Sequence, residues 1–100
     1  MKRKEIVDLC QIIYNNNTRE EYDHLANTEI HLIDNVYLHI CDSSNPNNYI
    51  MTLQIYQQLP NHKFRMTVEE SIKKSLDWVE RNYSLEELQL KLEEKVLNEI

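Results

Sequence analysis

The stretch EIHLIDNVYLHICD, Glu29 to Asp42, alternates apolar and polar residues on either side of an Asp-Asn pair. Ile30 and Leu32 share one face before the pair. After it, Val36, Leu38 and Ile40 share one face, and Tyr37, His39 and Cys41 the other. Alternation with a period of two marks a strand with one side buried, and Asp34-Asn35 suits a tight turn, so the stretch predicts a β-hairpin. A two-residue loop would pair Leu32 with Tyr37 and divide the apolar set between two faces. A three-residue loop pairs Leu32 with Leu38 and Ile30 with Ile40, which reunites the set. Because a one-residue slip flips every side chain, the odd loop is the expectation.

Downstream, DSSNPNN is a loop by composition, and YIMTLQIYQ alternates again, with Tyr49, Met51, Leu53 and Ile55 on one face. Leu59-Pro60-Asn61-His62 reads as a turn. If it pairs Gln58 with Lys63, Ile55 meets Met66, Gln57 meets Phe64, and a short fourth strand runs from Lys63 to Met66. Thr67-Val68-Glu69-Glu70 has the form of a capping box and predicts a helix with the stripe Val68, Ile72, Leu76, Val79 and Tyr83. Ser84-Leu85-Glu86-Glu87 repeats the signature. The stripe of that last helix is Leu85, Leu88, Leu92 and Val96, while Leu90 and Leu97 fall well off it.

Upstream, Ile6, Leu9, Cys10 and Ile13 predict a helix from Arg3 to Tyr14. Lys2, Arg3 and Lys4 oppose its dipole, which predicts a frayed first turn, and Asn15 to Asn17 should stop it. Thr18-Arg19-Glu20-Glu21 is a further box, with room for a short helix through Tyr22, Leu25 and Ala26 that Asn27 could close. The predicted class is α+β: an N-terminal helix, a three- or four-stranded antiparallel meander, and two C-terminal helices packed on one sheet face. The whole chain, residues 1–100, reads as a single domain.

Composition narrows the function classes. Hydrophobic residues at 41% and charged residues at 28% fit a globular fold rather than a disordered chain. No apolar run approaches the roughly 20 residues that span a bilayer. Glu5 and Asp8 interrupt what would be a signal-peptide core, so a cytoplasmic location is expected. Cys10 and Cys41 each sit inside an apolar element, which suits buried thiols rather than a disulfide framework.

The net charge of −6 argues against direct nucleic-acid binding. The acid lies in two blocks: residues 18–42 carry a net of −5 and residues 67–100 a net of −4. In the second block Glu69–Lys73, Glu70–Lys74, Asp77–Arg81 and Glu87–Lys91 are spaced as i,i+4 ion pairs. Glu80, Glu86, Glu93 and Glu94 have no base at that spacing. In the first block Glu20, Glu21, Asp23 and Glu29 have only Arg19 nearby. These eight carboxylates are either an ordinary solvated face of the fold or a partner-binding patch able to imitate nucleic-acid phosphates toward a basic channel.

Catalytic signals are few. His39 and Cys41, two apart on a strand, point the same way and could offer two metal ligands, or a thiol and its base. No Cys-x2-Cys or His-x3-His spacing completes a zinc set, and no third orienting group is apparent. The adjacent pairs Glu69/Glu70, Glu86/Glu87 and Glu93/Glu94 do not face one another on a helix. A chain with no glycine has no phosphate-cradling loop of the usual kind. The expectation is a non-enzymatic protein without catalytic residues or cofactor, with a metal- or thiol-dependent enzyme as an alternative. Leu90 and Leu97, seven apart, form a second apolar seam that could pack on the sheet or join two copies, so a homodimeric scaffold is another alternative.

The segment SLDWVERNYS, Ser75 to Ser84, together with the element order, resembles small proteins of Gram-positive phages and other mobile elements. Some anti-CRISPR inhibitors of Cas9 share this plan. The resemblance spans about ten residues and carries over no inhibitory residue. It implies a phage or mobile-element protein whose acidic surface inhibits a host nucleic-acid enzyme in the host cytoplasm.

Overall fold

A computed structural model describes residues 2–17, 27–43, 50–59 and 65–99. Its elements are α1 (Lys2–Asn17), β1 (Asn27–Ile33), β2 (Val36–Asp42), β3 (Met51–Gln58), β4 (Arg65–Glu70), α2 (Ile72–Asn82) and α3 (Leu85–Glu99). The strands form one antiparallel meander in the order β1-β2-β3-β4. The predicted α+β architecture is the one observed. The short helix expected after Thr18, the loop from Ser44 and the turn from Pro60 lie outside the described residues.

Apolar residues of the sheet and of all three described helices meet in one core. Ile6, Cys10 and Ile13 of α1 are fully buried against Leu38, Ile40, Leu53 and Ile55 of the sheet. Leu76 and Val79 of α2 and Leu88 and Leu92 of α3 complete the cluster. Burying such a side chain contributes roughly 1.5–3 kcal/mol. The opposite sheet face carries rings instead. Tyr37 stacks on Tyr56 at 5.5 Å between centroids, His31 tilts against Tyr37 at 5.1 Å, and His39 meets Tyr56 edge-on at 5.6 Å.

The hairpin keeps the predicted faces by a different route. The turn is a two-residue one, with Ile33 opposite Val36 and Asp34 in the left-handed region at φ 50°. A bulge at Leu32 then shifts the register, so Ile30 lies opposite Leu38 and Thr28 opposite Ile40. The extra residue corrects the parity that the short turn would spoil, and Leu32, Ile30 and Thr28 all face the core. Asn27 opens β1 opposite Cys41 rather than closing a helix.

α1 also exceeds its predicted limits. Arg3 is held in the first turn by Asp77 of α2 at 2.8 Å and Glu80 at 3.4 Å, which offsets the unfavourable dipole. At the other end Gln11 donates to Asn15 at 3.0 Å, one turn apart, and the helix continues through Asn17. Tyr14 donates its hydroxyl to Asp42 and ties this end of α1 to the end of β2.

Thr67 to Glu70 is not a capping box; it is part of β4. Gln58 pairs with Arg65, Gln57 with Met66 and Tyr56 with Thr67, two residues out of the predicted register. An even slip leaves side-chain parity unchanged. A further bulge at Val68 sets Ile55 opposite Glu69 and Gln54 opposite Glu70. The ladder with β3 satisfies backbone groups that a cap would otherwise have to serve. Ser71 caps α2 instead: its Oγ accepts from the Lys74 amide at 3.2 Å, and its own amide donates to the Leu53 carbonyl at 3.1 Å.

Ser71 adopts φ 110° and ψ 157°, a region that side chains with a Cβ avoid. Such strain costs on the order of 1–3 kcal/mol, whereas glycine at an N-cap gives up only a few tenths of a kcal/mol. Allowing for the greater freedom of glycine in the unfolded chain, Ser71→Gly should stabilise the fold by about 1 kcal/mol. Urea titration would show a raised midpoint with an unchanged slope. A lowered midpoint would mean that the cap outweighs the strain.

Candidate functional site

Of the eight predicted carboxylates, Glu20, Glu21 and Asp23 lie outside the described residues. Glu29 is exposed on β1, opposite His39, and borders a groove with Lys91, Glu94 and Lys95. Glu94 therefore stands among bases. Glu80 has no base at i+4, but Arg3 reaches it from α1 at 3.4 Å. Glu86 and Glu93 remain, both exposed on α3.

The fold adds two acids to this pair. A groove between α1 and α3 is lined by Glu5, Asp8, Leu9 and Ile12 on one side and Gln89 and Glu93 on the other. It continues past Glu86 and Leu90 to Lys2. Glu5, Asp8, Glu86 and Glu93 thus border one shallow, open surface with apolar residues between them. Asp8 is 3.7 Å from Lys4, an exposed contact worth little in water. Glu5 and Asp8 fall outside the acidic patch expected from the sequence because they sit in a segment with a net positive charge. Their position off the Ile6–Cys10–Ile13 face was legible; their neighbour across the groove was not.

The predicted local neutralisation is also partly redrawn. Glu69 and Glu70 belong to β4, so their spacing to Lys73 and Lys74 is not that of a helical pair. Asp77 accepts from Arg3 and from Lys73, at 2.8 and 3.2 Å. The Arg3 hydrogen bond, followed by that of Lys73, draws the Asp77 carboxyl below the usual range, and Asp77 in turn raises Arg3. Ser84 caps α3 as predicted, its Oγ accepting from the Glu87 amide at 3.3 Å. Beside it, burial pushes the Tyr83 hydroxyl upward, and the hydrogen bond and charge of Glu87 push it further.

His39 and Cys41 share the outer sheet face and are half-buried. Among the described residues, no three His, Cys, Asp or Glu side chains converge in a way that could hold a metal ion. Neither cysteine is in a disulfide, and the two differ in environment, Cys10 buried and Cys41 half-buried. Burial pushes Cys10 up to about 12. A reagent that attacks thiolates at pH 8 should therefore modify Cys41 in the native protein and reach Cys10 only on unfolding. Equal labelling rates would contradict the buried position of Cys10.

No described helix is long and apolar enough to cross a membrane. No family model, curated protein or solved structure matches the chain.

Proposed function

We propose that this chain is a small acidic interaction protein, encoded by a phage or mobile element, that binds and inhibits a host nucleic-acid-binding enzyme in the host cytoplasm. The observation that carries this reading is the groove between α1 and α3, where Glu5, Asp8, Glu86 and Glu93 meet around exposed apolar residues. A rigid helical pair holds these charges in a fixed array. A basic channel that normally takes phosphates would be attracted to it, and occupation of that channel would exclude nucleic acid. Such attraction weakens over a Debye length of about 10 Å at 0.1 M salt.

The test is capture from host extract on the immobilised chain. A nucleic-acid enzyme should bind at low salt, leave at high salt, be displaced by duplex DNA, and lose activity when the chain is added back. A captured protein that resists both salt and DNA would refute the reading. The exposure of Leu90 and Leu97, 65% and 71%, favours a second reading, a homodimeric scaffold joined through α3. The glutamates beside them weigh against it.

A further inference from the structure

Leu90 and Leu97 form a ridge on α3, pointing away from the buried Leu88 and Leu92. At about 100° per residue, Glu86 and Glu93 fall about 40–60° to one side of this ridge, and Glu87 and Glu94 about the same angle to the other. All four are exposed. The ridge is therefore apolar along its crest, with Glu86 and Glu93 on one flank and, on the other, Glu87 and Glu94 sharing their side with Lys91. Ile12, 44% exposed across the groove from α3, extends the apolar strip.

This pattern selects its occupant by charge. A second copy is disfavoured. An antiparallel pairing that seats Leu90 on Leu97 of the other copy sets Glu93 beside Glu93 and Glu94 beside Glu94, and a parallel pairing sets the Glu86/Glu93 flank of each copy against the Glu87/Glu94 flank of the other. Like charges opposed across an interface cost affinity. Nucleic acid would bring phosphates against carboxylates. A helix with apolar residues seven apart and Lys or Arg beside them meets the crest with carbon and the Glu86/Glu93 flank with opposite charge. We infer that the outer face of α3 docks a basic amphipathic helix of the partner protein, seated on Leu90 and Leu97. This deepens the acidic-surface reading and rests on it.

The probe is a labelled synthetic peptide of three heptads, with leucine along one stripe and lysine at the flanks. Its anisotropy is followed at low and near-physiological salt, and amide shifts map where it binds. Binding should map to Ile12, Leu90 and Leu97 and weaken with salt. Leu90→Ala combined with Leu97→Ala should reduce affinity about tenfold or more, for two leucines no longer buried. Both leucines are exposed, so the variant should keep its fold, which circular dichroism checks. A leucine-to-alanine peptide that binds equally well overturns the ridge but leaves the charge reading standing. Binding that ignores salt but needs the leucines counts against the charge reading and against a basic partner. No binding at either salt, or a sedimenting dimer that the double variant dissolves, overturns the inference outright.

Discussion

Leu88→Ala is expected to cost about 2–5 kcal/mol of stability, the range for truncating a fully buried leucine. Leu88 has no exposed surface and stands in the core beside Leu92, at the contact of α3 with the rest of the fold. Domains of this size hold only about 5–15 kcal/mol in total. At roughly 4–8 °C per kcal/mol, the melting temperature should fall by about 8–40 °C. Leu90→Ala is the matched control, because it changes the same residue type on the same helix two positions away. Leu90 is largely exposed, so its loss should stay within about 0.5 kcal/mol. The contrast reports the rotation of α3 about its own axis. Equal losses at the two positions would mean that α3 does not present Leu88 to the core.

The largest functional effect is expected from reversing the groove charges. Glu86→Lys with Glu93→Lys turns two of its four carboxylates into bases while leaving the core untouched. Close charge pairs across an interface couple by about 1.5 kcal/mol or more, and reversal replaces attraction with repulsion. Affinity for a basic partner should fall on the order of a hundredfold, and what remains should respond less to salt. Glu80→Gln separates this surface from acid in general. Its carboxylate is engaged by Arg3, so binding should hold in that variant. If Glu80→Gln abolishes binding while the reversed pair does not, the recognised surface lies on α2 rather than in the groove. Isothermal titration against the captured enzyme, at two salt concentrations, measures all of these.

Much of the fold was legible because it is written in local period. The strand faces of β1, β2 and β3 follow from alternation, and the stripes of α3 and of α2 from Ile72 onward follow from spacing by three and four, whereas Val68, read as the start of the α2 stripe, belongs to β4. The Ser84 cap follows from one hydroxyl placed three residues before Glu87. Where local signals competed, the sequence alone misled. Thr67 to Glu70 carries a valid cap signature, yet those residues can also satisfy their backbone by pairing with β3, and the ladder prevails. Parity in the hairpin was foreseen, but either a longer loop or a bulge meets it, and the bulge at Leu32 is the solution adopted.

Composition and pattern determined that this chain is an acidic α+β domain with one buried sheet face and a leucine ridge left over on its last helix. They did so because burial, turn chemistry and helix capping act among residues a few positions apart. Tertiary structure decided which acids become neighbours. It drew Glu80 onto Arg3 and brought Glu5 and Asp8 beside Glu86 and Glu93. Each of those contacts joins residues more than seventy positions apart, and such distances close only when helices dock on a common core.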